Sequence, residues 1–102
     1  MARSHTVFTS EAKLDIAQIY DRITADTGIA SADKFIERVF HVVDLLADTS
    51  GMGRVRDDLA GEPRSHPVPP WVIIYDPLPN GQGVEVLRVI HGHRDIPHHF
   101  KR

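Results

Sequence analysis

Apolar residues recur along this chain with two different periods, and the change from one to the other divides it into elements. Near the start, Thr6-Val7-Phe8-Thr9 is a short β-rich segment, and Ser10 follows it with a hydroxyl that can cap a helix beginning at Glu11. Ala12, Ile16, Ile19 and Ile23 then fall at helical spacing on one face, with Asp15, Gln18, Asp21 and Arg22 mostly turned away. Residues 11 to about 26 are thus predicted to form an amphipathic helix that Gly28 ends. A second helix is predicted from near Ser31, with two adjacent stripes, Phe35-Val39-Val42-Leu46 and Ile36-Phe40-Val43-Ala47. Such a face is too wide for one neighbour, so it must meet both the first helix and a sheet. Ser50-Gly51 closes this helix, and residues 52–63 form a polar connection carrying Arg54, Arg56, Asp57 and Asp58.

Beyond it the β-type pattern returns in Arg64-Ser65-His66-Pro67-Val68, Trp71-Val72-Ile73-Ile74-Tyr75 and Val84 to Ile90. The order strand, helix, helix, three strands gives an α+β class: an N-terminal strand and a two-helix hairpin packed on one face of a small, mostly antiparallel sheet. Pro69-Pro70 is a rigid lead-in to a strand, and the Asn80-Gly81 pair in the loop 78–83 answers to turn geometry. Strict alternation would place Trp71, Ile73 and Tyr75 on one face and Val72 and Ile74 on the other. In the last strand it sets Val84, Val86 and Ile90 against Leu87 and Val89. Both faces are therefore apolar, and two helices cover only one. The other is expected either to lie under the tail from Ile96 to Arg102 or to receive a partner.

Length and composition narrow the function. At 102 residues, with 41% hydrophobic and 25% charged side chains, the chain is expected to be one ordinary globular domain spanning 1–102. No apolar run reaches the roughly 18 residues of a membrane span and the N-terminus has no signal-peptide core, so a cytoplasmic, non-membrane protein is expected. The absence of cysteine excludes disulfides, thiolate catalysis and cysteine-ligated zinc. His91 and His93 share a strand face, with His98 and His99 close behind, but their spacing matches no metal site, and neither a metal nor another cofactor is expected. Phosphate-binding glycine loops and serine-nucleophile elbows are missing. The net charge of −2 conceals an asymmetry. Residues 1–50 hold five Lys/Arg against eight Asp/Glu, while residues 51–102 hold seven against six and five of the seven histidines. That is too weak a basic balance for a protein that binds nucleic acid mainly through phosphates, and no sequence-specific nucleic-acid binding is expected.

The joint order of these pieces resembles the RelE/ParE superfamily of toxins from type II toxin-antitoxin systems. The resemblance covers nearly the whole chain: the helix around residues 11–20, Gly28, the helix around Ala32-Asp33-Lys34-Phe35-Ile36, the glycine-arginine connection from Gly51 to Leu59, Arg64, and Val72-Ile73-Ile74-Tyr75. The closing Leu87-Arg88-Val89-Ile90-His91-Gly92-His93-Arg94-Asp95 looks most like the ParE, or plasmid-stabilisation, branch. The resemblance implies neutralisation by a cognate, ParD-like antitoxin that packs on the apolar surface, for which Trp71, Ile73, Tyr75, Leu87 and Val89 are the expected contacts. In the ParE branch the target is DNA gyrase, a binding activity; in the RelE branch it is mRNA on the ribosome, a catalytic one.

For surface recognition of gyrase the candidates are Arg54, Arg56, Arg64, Arg88 and Arg94, with no catalytic residue expected. A nuclease would need cations, an acid and a base around an in-line phosphoryl attack. Arg64, Arg88, His91 and Arg94 could form that set, with Glu62 or His93 as base. Against it, RelE-type chains often end in an aromatic hydroxyl, whereas the last aromatic here is Phe100, which exchanges no proton. The bland alternative pairs Arg88 with Glu85 or Asp95 and leaves His91 and His93 merely solvated. A non-toxic assembly module whose exposed sheet makes a homodimer is the remaining reading.

Overall fold

Thr9 ends the first strand and starts the first helix with a single side chain. In the computed structural model, which describes residues 5–101, its hydroxyl accepts the N–H of Ala12 at 3.1 Å and donates to the carbonyl of Leu87 at 2.8 Å. Because the sheet holds Thr9 in this way, Thr9 rather than Ser10 is the cap. Helix α1 runs Ser10–Asp26, one residue earlier than the pattern suggested. Gly28, at φ 115°, both receives the end of α1 and opens α2 (Ile29–Asp48), so the second helix also starts early, ahead of Ser31.

Five strands make one sheet: β1 (His5–Phe8), β2 (Arg54–Val55), β3 (Arg64–Val68), β4 (Trp71–Pro77) and β5 (Gly83–His91), in the order β1-β5-β4-β3-β2. Only β1 pairs in parallel, with β5; the other pairs are antiparallel. Both helices lie on one face. Ala12 and Ile19 of α1 and Phe35, Val39, Val43, Leu46 and Ala47 of α2 bury against Val68, Ile73, Tyr75, Val84, Val86 and Val89. These are the faces the helical spacing indicated, although Phe40 of the second α2 stripe remains 45% exposed.

The last strand departs from strict alternation. Tyr75 stands opposite Val86 but Ile74 stands opposite Arg88, so Leu87 is an extra residue, a β-bulge. One inserted residue switches the parity of everything after it. Val89 joins Val84 and Val86 beneath the helices, while Leu87 and Ile90 turn to the reverse face. The expected grouping of Ile90 with Val84 and Val86, and of Val89 with Leu87, is corrected accordingly.

The reverse face is not open. A short helix, α3 (Ile96–His99), places Ile96 against it, and with Phe100 and Leu59 it encloses Ile74, Leu87 and Ile90. Ile73 and Ile74 are thus both fully buried on opposite sides of one strand, each contributing about 1.5–3 kcal/mol of transfer free energy. Of the two ways to cover this face, the chain uses its own tail.

Polar groups inside this core are satisfied. The Tyr75 hydroxyl donates to the carbonyl of Ser50 at 2.8 Å and accepts the N–H of Gly53 at 2.8 Å, and burial pushes its phenol above the usual value, keeping the donor protonated. The loop between β4 and β5 uses left-handed Asn80 and Gly81, as its sequence indicated, and the Pro69–Pro70 peptide joining β3 to β4 is cis. Among the described residues, no helix is long and apolar enough to cross a membrane.

Gly83 is where β1 meets β5. At φ 118°, a Cβ there would lie 1.8 Å from the carbonyl oxygen of His5. Gly83→Ala is therefore expected to detach β1 while leaving the remaining strands paired. Hydrogen exchange would register this as loss of protection at residues 5–8 with the amides of β4 unchanged; retained protection of β1 would refute it.

Candidate functional site

Beyond Phe8 the edge of β5 has no strand beside it, and α1 fills the gap. Asp15 accepts the N–H of Val89 at 2.9 Å and takes a two-pronged contact from Arg88, Nε to Oδ2 at 2.7 Å and Nη2 to Oδ1 at 2.9 Å. This fork is the strong geometry for a guanidinium and a carboxylate, and both side chains are largely withdrawn from water. It drives the guanidinium further above its already high range. Arg88 also donates to the carbonyl of His99 at 3.2 Å, tying α3 to the same point. Its acidic partner is neither Glu85 nor Asp95, as the local sequence suggested. The side chain follows the bulge at Leu87 and runs to the helix that crosses the open edge.

The other arginines are divided between structure and surface. Arg56 is buried, forked on Asp58 at 2.9 and 2.8 Å with a longer contact to Ser65, and its hydrogen bonds hold the Asp58 carboxyl down at about 2. Arg64 donates to the carbonyls of Gly53 at 2.7 Å and Gly51 at 3.2 Å, closing the turn after α2. Of the five candidate arginines, Arg56, Arg64 and Arg88 are thus committed within the fold, and Arg54 and Arg94 remain exposed.

Arg88, His91 and Arg94 do converge, on a cleft of about 220 Å³ between α1 and the end of β5. Arg64 does not join them. It pairs with Tyr75, which faces Val86, whereas His91 faces Trp71, which pairs with Val68. Four residues of strand separate these rows, about 13 Å at 3.3 Å per residue. The ring of His91 stands edge-on to Trp71 with centroids 5.0 Å apart, and its Nδ1 accepts the N–H of His93 at 3.1 Å. Glu62 lies in an exposed turn at φ 49°. Among the described residues, no three His, Asp or Glu side chains gather as metal ligands.

The expected antitoxin contacts are mostly interior. Ile73, Tyr75 and Val89 lie under the helices and Leu87 under α3; Trp71 alone keeps exposed surface. Four of these residues are therefore corrected from surface to core, because the helices and the tail between them cover both faces. An open apolar groove of about 500 Å³ lies elsewhere, on the helical hairpin beside β1, lined by Phe8, Ile16, Ala17, Tyr20, Ile36 and Phe40. Phe8 and Phe40 meet there edge to face at 5.9 Å, and the Tyr20 hydroxyl bridges the helices by donating to Asp33 at 2.7 Å. Phe40 in the wide second stripe was the sequence signal for this groove.

The model of the ParE toxin of the type II toxin-antitoxin system parDE matches residues 6–96. The chain belongs to the ParE toxin family. A curated relative of this ParE-family toxin, Toxin ParE3 of Caulobacter vibrioides, is 27% identical over 82 residues, 80% of each chain. A solved chain from the chromosomal ParDE toxin-antitoxin system of P. aeruginosa superposes on it with a TM-score of 0.71 at 19% identity, covering 89% of this chain and 98% of that one. The latter match establishes the shared fold.

Removing the carboxylate that bolts α1 to β5 strands both a guanidinium and a backbone N–H. Asp15→Ala is expected to cost about 2–3 kcal/mol, somewhat below the loss from breaking a fully buried pair. Urea denaturation measures it; a loss under about 0.5 kcal/mol, typical of a surface ion pair, would show that the fork is not structural.

Proposed function

We propose that this ParE-family toxin acts in the cytoplasm by binding DNA gyrase and so arresting replication, and that a ParD-like antitoxin neutralises it by seating an apolar segment in the hairpin groove. The observation that carries the choice of contact over cleavage is the commitment of the arginines. Arg88 is locked in the Asp15 fork and Arg64 caps two carbonyls about four strand positions from the His91 row, which leaves a nuclease short of two of its four candidate groups. Phosphoryl transfer depends on cations placed against developing charge, and a guanidinium already paired supplies little of it. Gyrase as target rests on the resemblance to the ParE branch, with exposed Arg54 and Arg94 as the cationic contacts available to it.

The groove suits the antitoxin because it is an open channel lined mainly by apolar side chains, and an amphipathic helix docking through spaced apolar anchors fits a channel between two helices. It replaces the sheet face as the proposed contact, with Trp71 retained at the margin of the other cleft.

Pulse-labelling of DNA and protein synthesis, minutes after induction without the antitoxin, tests the target. DNA synthesis is expected to fall first, and Arg94→Glu with Arg54→Glu to relieve growth arrest without unfolding the protein. Earlier collapse of protein synthesis with cleaved transcripts would put the ribosome-dependent nuclease in its place, and no effect on either would favour the assembly module. In the same cells, Phe40→Glu is expected to leave toxicity intact but to weaken antitoxin capture by about tenfold or more, as loss of a central apolar anchor does. Full rescue of Phe40→Glu by the antitoxin would remove the groove from the proposal.

A further inference from the structure

The cleft between α1 and the end of β5 holds two arginines, Arg22 and Arg94, that the fork of Arg88 on Asp15 does not use. Arg22, Arg88 and Arg94 line it against one carboxylate, Asp15, whose oxygens are already taken by Arg88 and the N–H of Val89. In a chain whose formal charge is −2, this is a local reversal of sign. Arg22 reaches Asp26 only at 3.8 Å with both side chains well exposed, a contact too weak to hold it from another anion. Arg94 sits on a turn fixed by its N–H to the carbonyl of His91 at 3.0 Å, so its base is placed while its guanidinium faces solvent.

His91 adds a hydrogen-bonding group. Nδ1 of His91 accepts the N–H of His93, which leaves Nε2 as the ring's other polar atom, available to a ligand. Beside the charges the rings of Trp71 and His91 meet edge to face with centroids 5.0 Å apart, Trp71 resting on the buried Phe35 at 6.1 Å and His91 beside His93 at 5.1 Å. Trp71 and His91 both border the cleft.

We propose that this cleft binds the phosphate group of a nucleotide, with Arg94 and Arg22 as its clamps and the sugar and base against Trp71 and His91. Guanidinium forks fit phosphate oxygens two at a time. A carboxylate would satisfy them too, but the indole of Trp71 beside them favours a ligand that carries a ring next to its anion. At about 220 Å³ the cleft holds a phosphate and its ribose while leaving the base partly open, since sites that enclose a whole ligand are larger, roughly 300 Å³ and upward. Stacking without base-edge readout gives little preference among bases. The site is one of binding, not cleavage, and does not depend on gyrase being the target.

Trp71 is the only tryptophan of the chain, so its indole N–H gives a single cross-peak that reports on the cleft directly. The full chain, labelled with nitrogen-15, is titrated at constant ionic strength with AMP, adenosine, inorganic phosphate and a 5'-phosphorylated oligothymidylate. AMP is expected to shift the indole peak saturably with a dissociation constant of about 1 mM or tighter, inorganic phosphate to compete with it, and adenosine to bind about tenfold more weakly or not at all. Arg94→Ala and Arg22→Ala, both at exposed positions, are each expected to weaken AMP binding about five- to tenfold with the remaining spectrum preserved. Tighter binding of the oligonucleotide than of AMP identifies the end of a strand as the source of the phosphate, and equal binding identifies a free nucleotide. An unmoved indole, an equal response to adenosine, or undiminished AMP binding in both variants would overturn the proposal.

Discussion

The edge of β5 beyond Phe8 is the constraint from which the rest of the molecule follows. β1 has four residues and β5 has nine, so about half of the longer strand has no neighbour on that side. Unpaired backbone groups there would be both a thermodynamic cost and an invitation to other strands. The chain resolves this with side chains from one helix. Thr9 takes the carbonyl of Leu87, Asp15 takes the N–H of Val89, and Arg88 returns the charge of Asp15 as a fork. The position of α1 is set by these contacts as much as by its apolar face, and the cleft at its outer side exists because a helix crosses an edge more loosely than a strand pairs with it.

Much of this fold was legible from spacing. The buried faces of α1 and α2, the strands β3, β4 and β5, and the left-handed turn at Asn80-Gly81 correspond to local patterns whose causes lie within a few residues. What was not legible depends on distance or on a single insertion. The bulge at Leu87 has no signature in a strand that is apolar throughout, yet it reverses the side on which Val89 and Ile90 fall. Arg88 had acids nearby in sequence, but its partner is 73 residues away on a helix position that read as solvent-facing. The tail from Ile96 was named as one of two possible covers for the reverse face; only packing could choose between them.

The candidate site illustrates the difference between having a charge and having it free. Five arginines were equally eligible in the sequence, because charge patterning contains no information about what each guanidinium touches. In the folded chain Arg56 and Arg64 hold the connection between α2 and β3 together, and Arg88 holds α1 to the sheet. Availability then falls to Arg54, on the edge strand β2, and Arg94, on the turn after β5. The same sorting moves the open apolar area from the sheet to the helical hairpin, where β1, α1 and α2 meet.

The parallel pairing of β1 with β5 has a consequence for the order in which the molecule is made. His5 faces Gly83 and Phe8 faces Val86, so the first of the five described strands in chain order binds the fifth. The helical hairpin and the β3–β4 pair involve near neighbours and can form while the chain is still emerging; β1 must wait for residues 83–86 to leave the ribosome. Contacts of such long sequence separation are slow to close, and the seam of Thr9, Asp15 and Arg88 can form only after they do. The helical hairpin is therefore made before the sheet surface that completes its basic cleft, and that surface is assembled only once β5 has been synthesised.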